Sequence, residues 1–119
     1  MNKARRKRIT SVIETLENIT DYDLVESAKN EIEDILWDEE DAYNNMPENL
    51  QYSMRGEESS EAIDYLQEAI DKLDEAIDIL NEIDNLDEND EDYEDEKESK
   101  EDDINIYIDD AISSLESIN

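Results

Sequence analysis

The sequence predicts an all-α protein, an antiparallel helical hairpin extended to a three- or four-helix bundle with coiled-coil-like packing. Three observations predict it. Residues 61–81 repeat a seven-residue unit, two earlier stretches carry apolar side chains in helical register, and the chain holds only one Gly and one Pro to interrupt them. At 119 residues it is long enough for one domain with a modest core and too short for two.

In chain order, the first stripe is Ile9, Val12, Ile13, Leu16 and Ile19, which predicts a helix over about 4–18. The next stripe is two residues out of phase, and Thr20-Asp21 between them reads as a capping signal. Two helices follow from this, although one kinked helix over 4–45 fits the same pattern. Val25, Ala28, Ile32, Ile35, Ala42 and Met46 share a heptad register, with Leu36 and Tyr43 beside it, and predict a helix over 22–45. Glu39 interrupts that row. Pro47 ends it, because proline disfavours a helical Met46 and has no N–H to continue the ladder.

The repeat helix is the plainest element. Glu61-Ala62-Ile63-Asp64-Tyr65-Leu66-Gln67 is followed by two close copies, and Ala62, Leu66, Ala69, Leu73, Ala76, Leu80 and Ile83 form a seam spaced alternately four and three apart. Ile63, Ile70 and Ile77 widen the seam into the face that a bundle buries. Ser59 or Ser60 is the expected N-cap, giving a helix over 59–84. Residues 87–103 hold twelve acids and two lysines, and such a like-charge run predicts a solvated, disordered segment. Beyond it Ile104, Ile108, Ala111, Leu115 and Ile118, with Tyr107 and Ile112 alongside, recover helical spacing. Ile104, Ile106 and Ile108 also alternate as in a strand, but no second strand is in prospect to pair with it.

Charge narrows function more than any motif. The net charge is −29, with 39 acidic against 10 basic residues, and five of those ten (Lys3, Arg5, Arg6, Lys7 and Arg8) fall in the first eight positions. Such a field opposes compaction and repels nucleic acid and anionic membranes. The expected partner is a basic protein surface. Direct nucleic-acid or membrane binding is not expected. There is no Cys and no His, so disulfides, thiolate metal sites and imidazole chemistry are excluded. No carboxylate pair stands out, and the lone Gly56 cannot make a phosphate loop. Neither an enzyme nor a cofactor is expected. The basic start is not followed by an apolar signal core, since Thr10, Ser11, Glu14, Thr15, Glu17 and Asn18 interrupt Ile9–Ile19, so a cytoplasmic location is expected and the Asn18-Ile19-Thr20 sequon carries no weight.

The stretch Tyr43-Asn44-Asn45-Met46-Pro47-Glu48-Asn49-Leu50-Gln51-Tyr52-Ser53-Met54-Arg55-Gly56-Glu57, with the EAID repeat after it, resembles small acidic helical proteins of Gram-positive phages and mobile elements. These share a helix, a linker of the form NMPENLQxSxRGE and a second helix of EAIDxLE-like heptads. The resemblance covers roughly residues 31–84 and implies a helix–linker–helix core. It implies no activity. The acidic run 87–103 and the helix after it depart from the pattern. In bulk properties alone the chain is also similar to phage-encoded DNA-mimic inhibitors of host defence enzymes, which are likewise short, helical, acidic and poor in Cys.

Candidate sites follow. Glu61, Asp64, Glu68, Asp71, Glu75, Asp78 and Glu82 form a row opposite the seam, about one charge per 5 Å of axis. Duplex DNA carries one per about 1.7 Å, so imitation of DNA needs two or three such rows side by side. The plainer reading of the row is a solvated face. Trp37, outside its helix's seam and flanked by Asp38, Glu39 and Glu40, is either an exposed interface anchor or a side chain packed on a third helix. The NMPENLQ linker is either a recognition loop or a hairpin end plugged by Met46 and Leu50. Asp87, Asn89, Glu91 and Glu98 stand at calcium-loop spacing, but Asp92 occupies the position that needs Gly, so no metal site is expected. The basic cluster Lys3–Arg8 opposes the dipole of its own helix and is expected to pair with the acidic surface. Two functions fit: a DNA mimic blocking a basic host surface, and a structural interaction module or homodimer that uses its heptad seam.

Overall fold

The computed structural model describes residues 1–118, which form five helices: α1 (Lys3–Glu17), α2 (Asp23–Asn44), the one-turn α3 (Glu48–Gln51), α4 (Met54–Asp84) and α5 (Tyr93–Glu116). No strand occurs among the described residues, and Ile104–Ile108 is helical. The four long helices make an up-down-up-down bundle in which α1 packs on α2 and α5, α2 on α4, and α4 on α5. Cross-helix contacts show the alternation. Arg5 reaches Glu39, Ser59 reaches Glu39 and Lys29 reaches Asp74, so α1 and α4 both run against α2. Glu68 meets Ser114 and Glu82 meets Lys100, so α5 runs against α4.

The seams bury as their spacing requires. Ile9, Val12 and Leu16 of α1, Val25, Ala28, Ile32, Ile35 and Leu36 of α2, and Leu66, Ala69, Ile70, Leu73 and Ala76 of α4 join Ile104, Ile108, Ala111, Ile112 and Leu115 of α5 in one cluster. The break between α1 and α2 is real. Asn2 caps α1 by accepting from the Arg5 N–H at 2.8 Å, and the Asp21 carboxylate accepts the Asp23 N–H at 3.0 Å where α2 starts.

Three expectations are corrected. The repeat helix begins at Met54, not at 59: Ser53 is its N-cap, and Ser59 is buried inside the bundle as a partner of Glu39. Heptad counting finds the repeat but cannot see that MRGEE extends the helix upstream of it. The linker does not plug the hairpin with Leu50, which is 41 % exposed. Gln51 does the closing instead, its side-chain amide donating to the carbonyl of Tyr43 at 3.0 Å, which also accepts the Met46 N–H at 3.1 Å, and to that of Met46 at 3.3 Å just beyond the end of α2. Finally, the acidic run 87–103 is not a disordered segment. Turns occupy 87–92, and α5 starts at Tyr93. Glu94, Asp95 and Glu96 fall in its first turn, where carboxylates face the positive end of the helix dipole, so the charges that forbid a core there still favour a helix start. Lys100 then clips the helix to Glu82 at 3.0 Å.

The molecule is a rod of 62 × 21 × 18 Å. Tyr22, just ahead of α2, hydrogen-bonds Asn105 at 3.1 Å, so the end of α4 and the first turns of α5 run past α1 and α2 as a two-helix overhang. Leu80 and Ile83 of the seam are accordingly only half-buried.

Candidate acidic interface

Every member of the row Glu61, Asp64, Glu68, Asp71, Glu75, Asp78 and Glu82 is exposed on α4. The heptad puts them there: with Ala62, Leu66, Ala69, Leu73 and Ala76 turned inward, the acids at intervening positions must face solvent. What the sequence did not reveal is the row's neighbour. The register of α5 against α4 steps by one heptad at each contact, Glu68 beside Ser114, Glu75 beside Tyr107 and Glu82 beside Lys100. The Tyr107 phenol is pushed above its ordinary value by the charge of Glu75 and also by Asp103 and Asp110, which places carboxylates of both helices around one ring. Asp103 and Asp110 thus form a second acidic line along α5, and each precedes the apolar position that buries α5, Ile104 and Ala111. That spacing was legible; the pairing of the two helices was not.

Cations are scarce on this surface. Residues 54–116 hold 26 acidic and 4 basic residues. Of the four, Lys100 pairs with Glu82 and Lys72 lies 5.8 Å from the centre of the Tyr107 ring. Among the described residues no group of carboxylates is gathered closely enough to hold a metal ion, and no helix is long and apolar enough to cross a membrane.

The basic cluster sits at the other end and is partly spent on α2. Arg5 donates to Glu39 at 2.7 Å, and Arg8 forks to Glu31 at 2.8 Å and Asp38 at 2.7 Å, which raises its pKa above the ordinary value through those two hydrogen bonds. Glu39 is only 1 % exposed and also receives the Ser59 hydroxyl and the Met1 amino group, at 2.7 and 3.3 Å. The residue that breaks the α2 seam is therefore a buried carboxylate with partners on three sides. Lys3, Arg6 and Lys7 are exposed and form no ion pair among the described residues.

Trp37 is not packed on a third helix; it is 61 % exposed on the outer side of α2. The pairs Glu39–Ser59 and Lys29–Asp74 set the α2–α4 register, and interpolating between them brings Trp37 level with the first turn of the acidic row. The row, the α5 acids and Trp37 are thus carried by three helices of one bundle, whereas the linker contributes no acid beyond Glu48.

The fold and this surface define an acidic up-down-up-down four-helix bundle. No protein-family model, no curated protein and no solved structure matches the chain significantly.

Proposed function

We propose that the protein is a binding protein that occupies a basic, nucleic-acid-binding surface of another protein by presenting carboxylates where DNA presents phosphates. The observation that carries this reading is the side-by-side placement of the α4 row and the α5 acids along a rod of the calibre of a duplex. A single row is too sparse, but the whole molecule spreads 29 net negative charges over 62 Å, one per about 2.1 Å, against one per about 1.7 Å in duplex DNA. An ordinary solvated face mixes both signs, and this one holds four cations among 26 acids. A host defence nuclease or DNA-binding regulator met by a phage or mobile element in the bacterial cytoplasm is the class of target that suits it.

The competing reading, a module whose seam binds a partner helix or a second copy, is disfavoured by one observation. The seam from Ala62 to Ala76 is already buried within the chain.

The test needs two sets of variants with equal charge loss. One neutralises Glu68, Asp71, Glu75 and Asp78 to Gln or Asn. The other neutralises Glu88, Glu91, Glu94 and Glu98 in the overhang. With a target captured from host lysate, the first set should weaken competition with DNA far more and flatten its salt dependence. Equal loss from both sets means diffuse polyanion behaviour and overturns the reading. Unchanged binding in both, with loss in a folded Leu80→Asp variant, transfers the function to the seam.

A further inference from the structure

We propose that Trp37 and the carboxylates around it form an arginine-selective anchor for the basic partner, a reading that rests on the proposed function and gives its interface a fixed point. Trp37 is the chain's only tryptophan. A side chain of that size left 61 % exposed loses the burial it would gain in a core, and Trp, with Tyr and Arg, is enriched at interface hot spots. Its neighbours on the helix surface lie three and four positions away. All four are acidic: Glu33, Asp34, Glu40 and Asp41. Glu33 shares Lys29 at 3.6 Å, whereas Asp34, Glu40 and Asp41 form no ion pair among the described residues.

This arrangement suits a guanidinium better than an ammonium. A planar guanidinium stacks on the indole face while its edge N–H groups fork to a carboxylate, and the two contacts use different parts of the same group. An ammonium can approach the ring or a carboxylate but has no plane to share between them. A second copy of this chain is a poor occupant despite its exposed Lys3, Arg6 and Lys7, because each copy brings −29 to the contact. The occupant is therefore an arginine-bearing segment of a basic protein. Ile106 supplies a control from the same molecule. It is 57 % exposed and has acids at the same four offsets, Asp102, Asp103, Asp109 and Asp110, but no aromatic face.

The probes are octa-arginine and octa-lysine, titrated against the full chain at about 0.15 M salt. Trp37 fluorescence reports the site directly, and calorimetry follows variants that lack the indole. Arginine should bind about tenfold more tightly than lysine, the factor expected of a partly desolvated cation–π contact. Trp37→Ala, or Asp34→Asn combined with Asp41→Asn, should bring the two peptides to equal affinity, and Ile106→Ala should leave the preference intact. Equal affinity for both peptides in the parent chain, or an arginine preference that survives Trp37→Ala or the double Asn variant, overturns the anchor. These titrations involve neither DNA nor a target, so their outcome is separable from that of the row variants in competition with DNA.

Discussion

At the scale of single residues, magnitudes separate two ion pairs that look alike in a contact map. Glu39 is buried against Arg5 and Ser59, and removing one side of a buried pair strands the other. Glu39→Ala is expected to cost about 3–5 kcal/mol in urea unfolding. Arg8, about a third exposed, is expected to cost under about 1 kcal/mol when replaced by Ala. A similar loss from both would show that Glu39 is solvated. Lys29 gives a pH prediction. Its hydrogen bond to Asp74 raises its pKa above the ordinary 10.5, and Tyr107 is likewise raised above 10.0 by Glu75. In each case the folded state holds its proton longer than the unfolded chain. The resulting stability is complete below the unfolded pKa and is lost as pH rises through the folded one. Urea midpoints should thus fall above about pH 10, and less steeply in Asp74→Asn. None of these partners was legible in the sequence, because Glu39 lies 34 positions from Arg5 and nothing local ties them.

Elements were far more legible. Periodicity places α1, α2 and the repeat portion of α4 because each buries a stripe whose spacing is set by 3.6 residues per turn. It misses the first turns of α4 and the whole acidic half of α5, where no stripe exists and local helix-end chemistry decides. Gly56 shows what governs the first of these. A Cβ there would lie 2.2 Å from the Gln51 carbonyl oxygen and 2.5 Å from that of Leu50, so α3 can fold back on α4 only over a glycine. In an open helix Gly→Ala would stabilise by about 1 kcal/mol. Here the clash is with backbone, and Gly56→Ala is expected to destabilise by about 1–3 kcal/mol with α3 displaced. A rise in thermal midpoint would mean that α3 is not held against α4.

For the whole molecule, repulsion among 39 acids outweighs the attraction available from 10 cations. Salt screens both, but the surface pairs are each worth under about 1 kcal/mol, so the net effect of screening is relief. The thermal midpoint should rise between about 20 and 500 mM NaCl; a flat or falling series would show that the ion pairs dominate. The candidate interface divides along the same lines of legibility. The α4 row could be read from the repeat, and the acidic line beside it became visible only when α5 was placed in register. Trp37 was recognisable as off-seam, but its exposure depends on which helices flank α2.

The overhang has a kinetic consequence. Residues 81–103 concentrate acids at one tip of a 62 Å rod, while Lys3–Arg8 and Arg55 gather near the other, which makes the molecule a permanent electric dipole lying along its own axis. Approaching a positive surface, such a rod experiences a torque before any side chain touches. Steering of this kind favours an encounter with the acidic tip leading, ahead of any contact with the α4–α5 flank. Orientation of this kind sets how often an encounter succeeds, whereas contacts along the flank set how long it lasts. If the proposed function holds, charges at the tip are expected to govern the speed of association and charges in the row the lifetime of the complex.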